Sequence, residues 1–515
     1  MSRAIKREEV AIPDIELGLP EKVAGLWPIV TPLLLTALII GARVYTGRPT
    51  IFLKGESLIL LALIAYICAA VLYVTNIFVK ERVLERMGLW TTVLGFAFNL
   101  SGWMIRWVEA GDLEGWKDGI NGAWRYYPLD NLYALTLGFC AGAGLTTLVF
   151  VRKPKYNFVG ALSMPILVVI LALGMMLGSD HKSLPPILDS YWRPIHVTIA
   201  TIGYGVCLVS FGLAFAYLLK DGIRSEAVAI GAILYGLLIF FTVGKYAIPL
   251  NMQYGLNPYF FFEEQQTWGA APFRVELPYV GMLMWFTMVL LLGALVMFIM
   301  DYNRANEGLR KWGWRFFKAT IVTTGITLAL IFINIKTLDN MGAHVPSWEA
   351  QTVANWSGVQ LEQAREFMNK NPQMLKLSPT SNPVELGGLI GLFVALLMVG
   401  IFSWKRKEVV GAMPSLSTID SMLYRTVGVA FPLLTLLLIT GAVWANESWG
   451  RYWGWDSKEV GALVAWMAYA GFLHTRIAHG WRGRRSAYFA LLGFALVIFT
   501  WLGVSYLLPG LHSYA

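Results

Sequence analysis

The sequence has little charge. Of its 515 residues only 14% are Asp, Glu, Lys or Arg, against 57% that are hydrophobic. An ordinary soluble domain carries about a quarter charged residues, so that class is excluded. Cysteine is scarce as well. Cys68, Cys140 and Cys207 lie far apart in apolar runs, form no CxxC and no metal set, and are expected to be small core residues. There is no internal repeat and no low-complexity tract, and no cleavable signal pattern is expected, because the polar start Met1–Glu21 leads directly into an apolar run. The formal net charge is +9, but the basic residues form short clusters between apolar runs. That argues against nucleic acid as a partner and for basic loops held on one side of a membrane.

What the sequence does have is apolar length. Thirteen runs fall near 27–44, 57–78, 88–107, 133–151, 157–178, 196–219, 227–246, 278–300, 316–335, 385–404, 424–444, 459–477 and 486–507. Each approaches the roughly 20 residues that cross a bilayer as a helix. The expected fold is therefore all-α, a polytopic transmembrane bundle of about 13 spans in a lipid bilayer. Six basic clusters, among them Arg152/Lys153/Lys155 and Arg482/Arg484/Arg485, fall on one side together with the N-terminus. Basic loops stay inside, so the N-terminus is expected to be cytoplasmic and the C-terminus outside.

The densest chemistry is in Gly441–Arg476. Trp444, Trp449, Trp453 and Trp455, with Tyr452 and Asp456, crowd into a Gly-punctuated stretch that is expected to be an outer loop between two spans. Interfacial anchoring needs fewer tryptophans. Broad π faces beside glycines suit a large flat aromatic ligand, and a porphyrin is the leading candidate. Three other outer segments stand out: 108–132, 247–277 and 336–384, the last with an amphipathic helical pattern from Trp348 to Asn369. For the latter two, loop packing is the plainer expectation.

Imidazole is a natural axial ligand for haem iron, and there are six histidines: His181, His196, His344, His474, His479 and His512. His196 begins the sixth run and His512 lies just past the end of the last, so both are expected at the depth and on the side of the Trp-rich stretch. For either histidine alone a surface or hydrogen-bonded role outweighs ligation; the coincidence of the two with the tryptophans reverses that. His474 sits near the cytoplasmic end of the twelfth run, where an ionisable group is a functional candidate by default and a helix-terminal cap beside Arg476 is the even alternative. His479 reads as a solvated loop residue, and His181 and His344 as loop residues without comparable aromatic company.

At this point the residues resemble a known family. Trp444-Ala-Asn-Glu-Ser-Trp-Gly-Arg-Tyr-Trp-Gly-Trp-Asp-Ser-Lys-Glu459 resembles the tryptophan-rich WWD signature of haem-handling membrane proteins, closest to the CcsA/ResC type of cytochrome c biogenesis protein (System II). The following helix with Phe472-Leu-His-Thr-Arg476, the tail Gly510-Leu-His-Ser-Tyr514, Tyr191-Trp-Arg-Pro-Ile-His-Val197 with Gly203-Tyr204, and Pro128-Leu-Asp-Asn-Leu-Tyr133 are similar too. Ser457 stands where the family usually has Pro, and Ala134 where it usually has Glu.

The resemblance implies a component of a cytochrome c synthase that moves haem b, as cargo, across the bacterial inner membrane. At an outer, periplasmic site the haem is attached to a CXXCH apocytochrome c. By residue match His196 and His512 would be the axial ligands of iron flanking the Trp444/Trp449/Trp453/Trp455 shelf. His474 would be the iron ligand of an intramembrane uptake site, whose opposing ligand comes in this family from a CcsB/ResB-like partner. Asp456 is read as a haem contact or a helix cap, and Arg451, Lys458 and Arg193 as candidate partners of the propionates. The expected organisation is 1–87 with two additional spans, 88–220 as the first part of the core, 221–420 as an inserted four-span region with outer loops, and 421–515 with the WWD stretch. The alternative class is a haem- or quinone-linked electron-transfer subunit, which calls for a bis-histidine pair within the bundle rather than at span ends. A secondary transporter would show pseudo-symmetric halves.

Overall fold

A computed structural model of the protein describes residues 25–47, 50, 53–116, 123–129, 131–181, 189–244, 252–262, 267–271, 274–338, 354, 360–370 and 375–504. His344 and His512 lie outside the described residues. The chain is an all-α polytopic bundle. Its long helices are α1 Trp27–Thr46, α2 Gly55–Val79, α3 Arg82–Glu114, α4 Leu132–Val151, α5 Asn157–Met176, α6 Trp192–Lys220, α7 Ser225–Gly244, α8 Val280–Arg304, α9 Glu307–Thr337, α10 Pro383–Trp404, α11 Leu416–Trp449, α12 Ser457–Ala478 and α13 Arg484–Ile498, the last continuing as a π turn, Phe499–Gly503. Every one of the thirteen apolar runs falls on one of them.

Among the described residues, eleven helical segments are long and apolar enough to cross a membrane; α3 and α12 are not among them. Their sequences give the reason. Helix α3 is free of charge from Met87 to Ile105 but mixes Gly, Trp, Thr, Asn and Ser with its apolar residues there, and α12 begins with Lys458 and Glu459 and ends near His474 and Arg476. Backbone groups inside a bilayer must be satisfied internally, which a helix does along its length. The ends are closed locally: the Asn131 side chain accepts from Ala134 N, Asn306 accepts from Gly308 and Leu309 N, and Gly47, Gly115 and Gly450 stop helices in left-handed geometry.

Two buried apolar clusters organise the bundle. The larger joins α2–α6 with α11–α13 through side chains such as Tyr66, Leu137, Phe139, Leu208, Leu423, Tyr469 and Phe472. Helix α6 is its axle, packed against α4, α5, α11 and α13. A Cβ on Gly205 would lie 2.3 Å from the Ala143 backbone nitrogen, so only glycine lets α6 and α4 meet this closely. The smaller cluster joins α7–α10 through Phe240, Leu291, Phe298, Phe317, Ile331, Leu389 and Leu392.

The segment 247–277, expected to be loop, contains short antiparallel strands in its described part. Gly255–Leu256 pairs with Val275–Glu276, and Tyr259–Phe262 pairs with Thr267–Ala270 and with Leu375–Lys376. The layer hooks onto the first turn of α10, where Tyr254 donates to Glu385 at 3.1 Å and the Asn257 backbone N–H to Asn382 Oδ1 at 2.8 Å. Of the amphipathic pattern 348–369, the described helix covers only Leu361–Lys370. Cys140 and Cys207 are buried, but Cys68 is exposed on the outside of α2, where apolar surface faces lipid rather than a core.

Candidate functional site

The Trp-rich stretch is mostly helix, a correction to the expected loop. Helix α11 runs through Trp444 to Trp449, is stopped by Gly450 in left-handed geometry, and only Gly450–Asp456 connects it to α12. The connection is short because α12 starts with a capping box: Asp456 caps the N3 backbone N–H, and the Glu459 carboxylate reaches back to Asp456 N at 3.1 Å and on to Gly454 N at 2.8 Å. These bonds flank Trp455, which sits at φ 58.

Between neighbouring ends of α4, α6, α11, α12 and α13 opens a cleft. His196, Trp444, Trp449 and Trp453 line it, as do Arg193 and Lys458. The sequence pattern thus brings one histidine and three tryptophans together from two helices and a turn. It does not bring in the others. Trp455 is 73% exposed and edge-on to Trp453, with ring centroids 5.9 Å apart. The Arg451 guanidinium lies over Gly454, 2.9 Å from where its Cβ would be, and is not a lining residue. Asp456 is the helix cap described above.

His196 is fixed by its neighbours. Its ring lies 5.7 Å from that of Trp444, tilted by 43°, and Trp444 in turn lies 6.0 Å from Trp449. Nδ1 is 2.9 Å from the Leu437 carbonyl oxygen and 3.3 Å from Thr440 Oγ1. A carbonyl only accepts, so Nδ1 carries the proton and the in-plane lone pair of the neutral ring is on Nε2. Opposite, the Ser190 hydroxyl donates to Glu447 at 2.6 Å, tying the start of α6 to the end of α11. Arg193 is 3% exposed and donates from Nη2 to the Arg125 carbonyl at 2.9 Å, which places a cation in the cleft wall. Beside it Thr198 donates to the Tyr127 phenol, whose burial holds its pKa above the ordinary value, so this group stays protonated.

The cleft also uses residues that the sequence pattern does not single out. Thr201, Thr500 and Trp501 line it, the last two brought in by the π turn, and Phe139 packs edge-on against Trp501 at 5.4 Å. A π turn is a recurrent mark of functional positions, and it leaves no signal in hydrophobic periodicity. Leu437, Thr440/Gly441 and Trp444 share one face of α11 at i, i+3/i+4 and i+7.

His474 lies far from the cleft, at the other end of α12, and is exposed. Its ring is 5.5 Å from that of His479, which in turn lies 6.4 Å from Trp481. His479, exposed just past the end of α12 as a solvated residue, is thus also a neighbour of His474. Arg476, expected beside His474, instead grips Asp420 of α11 with both Nη atoms, at 2.8 and 2.5 Å.

Comparison with known proteins bears on the whole arrangement. The family model described as Cytochrome C assembly protein matches residues 129–271 and 280–512, which takes in most of 221–420 as well as the cleft helices. A cytochrome c biogenesis protein CcsA from Guillardia theta is 56% identical over 99 residues, 19% of this chain and 33% of that protein. That alignment thus spans a third of the relative's length. A cytochrome c biogenesis protein CcsA from Nostoc sp. (strain PCC 7120 / SAG 25.82 / UTEX 2576) is 28% identical over 413 residues, 79% of this chain and 82% of that protein. A solved cytochrome c heme lyase CcmF aligns with a TM-score of 0.32 and 15% identity, covering 89% of this chain and 72% of that one.

Proposed function

We propose, starting from a chain that belongs to the cytochrome C assembly protein family as a CcsA-type, multi-pass membrane protein of cytochrome c biogenesis, that its Trp-lined cleft presents haem for covalent attachment. The observation that carries this reading is the seating of His196: its Nδ1 is tied to the Leu437 carbonyl, its face lies near Trp444, and it lines a cleft together with Trp444, Trp449, Trp453 and Trp501. A large flat macrocycle is held by such π faces, and a ligating imidazole is oriented by the hydrogen bond on its other nitrogen.

The cargo in this reading is haem b. His196 supplies one axial ligand and His512 the other, with Trp444, Trp449 and Trp453 against the ring and Arg193 and Lys458 as cations for the propionates. The attachment step adds a cysteine S–H of the acceptor across each haem vinyl: a C–S bond forms at one carbon, the hydrogen goes to the other, and no electrons are gained or lost overall. The cleft has no cysteine among its lining residues, so both thiols come from the CXXCH apocytochrome. The chain's contribution is then positioning, and one imidazole must give way to the acceptor's histidine.

His474, exposed on α12 at the opposite end, is the ligand of a haem-uptake site completed by a CcsB/ResB-like membrane partner. The membrane is the bacterial inner membrane, with the cleft on its periplasmic face. The test is an absorption spectrum of the purified protein beside His196→Ala and His512→Ala. The wild type is expected to carry haem b with a bis-imidazole spectrum, and each variant to lose it or to regain it on adding imidazole. A wild type that stays colourless when expressed with a CcsB-like partner and ample haem would end this reading.

A further inference from the structure

The seat of His196 is built by an absence on the facing helix. A Cβ on Gly441 would lie 2.7 Å from His196 Cε1 and 3.1 Å from Nδ1, closer than such atoms approach. The clash is with the ring itself, whose place is fixed by Nδ1 at 2.9 Å from Leu437 O, so the imidazole cannot swing away and keep its bond. Thr440 completes the seat. Its hydroxyl donates to the Leu436 carbonyl at 2.7 Å, which leaves its oxygen to accept from His196 Nδ1–H at 3.3 Å. Three consecutive features of one helical face, the carbonyl of 437, the hydroxyl of 440 and the bare Cα of 441, therefore receive one imidazole from α6. Trp444, one turn further on, closes it.

We propose that Gly441 and Thr440 are positioning residues for the iron ligand: together with the Leu437 carbonyl they select the Nδ1–H tautomer of His196, leave Nε2 as the ligating nitrogen, and set how firmly that ligand is held. The inference rests on the haem-presenting reading above and goes beyond it by saying why this glycine is needed where α11 faces α6. It also gives the helix control over ligand strength, because a hydrogen bond to Nδ1–H raises the basicity of the imidazole. A weaker seat makes an easier ligand to displace when the acceptor histidine arrives.

The test uses the full-length protein purified with haem. Gly441→Ala is compared with Gly428→Ala on the same helix, where a Cβ meets nothing within 4 Å. Gly441→Ala is expected to lower haem affinity by about 10- to 100-fold, the range for disturbing a group that orients a metal-bound imidazole. Its remaining haem should show a lost or weakened His196 ligation that added imidazole corrects, while Gly428→Ala matches the wild type. Thr440→Val should keep the haem but make it easier to displace by competing ligand.

A second pair keeps the proposal testable if Gly441→Ala does not fold. His196→Gly removes the ring and with it the clash, and added imidazole should restore its spectrum by occupying the vacated seat. In His196→Gly/Gly441→Ala the new Cβ fills that seat, so the same imidazole should fail to restore it. A wild-type spectrum and affinity in Gly441→Ala, or equal rescue in the two glycine backgrounds, overturns the role of Gly441. If instead His196→Ala itself retains bis-imidazole haem, it is the reading of the cleft that fails, and the two failures are told apart.

Discussion

The two buried clusters of this bundle are built to different ends. The α7–α10 core is filled: Phe240, Phe298 and Phe317 interlock with leucines, and charge is kept to its two ends, Arg274–Glu385 under the strand layer and Arg224–Asp301 at the opposite end, at 2.6 and 2.7 Å. The core of α2–α6 and α11–α13 is equally tight below, but at its Trp-rich end it stops short of closing and admits His196, Arg193, Lys458, Thr201 and Thr500 to the walls of a cleft. Charged groups in lipid-facing proteins are costly, and a bundle that needs only to stand puts them at its ends, while buried hydroxyls such as Thr320, Thr324 and Thr327 of α9 bond to carbonyls of their own helix. The difference separates a part that supports from a part that holds. Changes in the first should move stability and leave ligand spectra alone; changes in the second should do the reverse.

The largest effect that tests this contrast is Phe317→Ala. Phe317 is fully buried among the α7–α10 side chains, and its truncation should cost about 3 to 5 kcal/mol of stability, read as a lower unfolding midpoint in detergent. Bound haem should keep its wild-type spectrum. A changed spectrum in Phe317→Ala would show that the supporting core reaches into the cleft and would break the division.

Next in size is Glu385→Ala. Its carboxylate accepts from Arg274 Nη2 at 2.6 Å and from the Tyr254 phenol, with side chains 12% and 20% exposed for Glu385 and Arg274. Removing one member strands the other charge, at about 3 kcal/mol. Replacing both, as Arg274→Leu/Glu385→Leu, should recover most of that loss. Equal losses in the single and double variants would mean that the pair itself, rather than the stranded charge, stabilises the strand layer.

Much of this was legible in the sequence, for physical reasons that also mark where legibility ends. Bilayer crossing demands length and apolarity, so all thirteen runs sit on helices, including α3, whose hydropathy is diluted by Gly, Trp, Thr, Asn and Ser, and α12, whose terminal charges dilute it. The tryptophan–histidine coincidence led to His196, Trp444, Trp449 and Trp453 in one cleft because residues at the same end of neighbouring spans have few places to go. Trp455 and Arg451 fell away because composition does not say which side chains of a turn point inward. Gly441 and Thr440 stayed hidden because a seat for a ring is a relation between two helices distant in sequence. The π turn that carries Trp501 inward has no periodicity signal of its own. His479 is exposed just past the end of α12, as its setting among basic residues suggests, but its closeness to His474 leaves no mark in the sequence.

Within the holding region the expected effects grade downward from ligand to scaffold. Asp456→Ala removes the N-cap of α12 and should cost about 1 kcal/mol of stability, with Asp456→Asn largely sparing it. Haem affinity should fall only through loosening of Gly450–Asp456, so a denaturation midpoint that drops together with a modest loss of haem is the expected pair. Complete loss of haem with unchanged stability would give Asp456 a direct part in binding.

The smallest effect separates the edge of the cleft from its lining. Trp455 is held in left-handed geometry by the Glu459 carboxylate, which accepts from the backbone N–H groups on both sides of it. A side chain with a Cβ costs about 1 to 2 kcal/mol there, which glycine does not. Against that, Trp455→Gly gives up an edge-on contact with Trp453 of about 0.5 to 1.5 kcal/mol. The two nearly cancel, so Trp455→Gly should unfold close to the wild-type midpoint and keep its haem, whereas Trp453→Ala, from inside the cleft, should lose affinity. If Trp455→Gly loses haem as Trp453→Ala does, the aromatic shelf extends past the rim, and the holding region is larger than the cleft that opens in it.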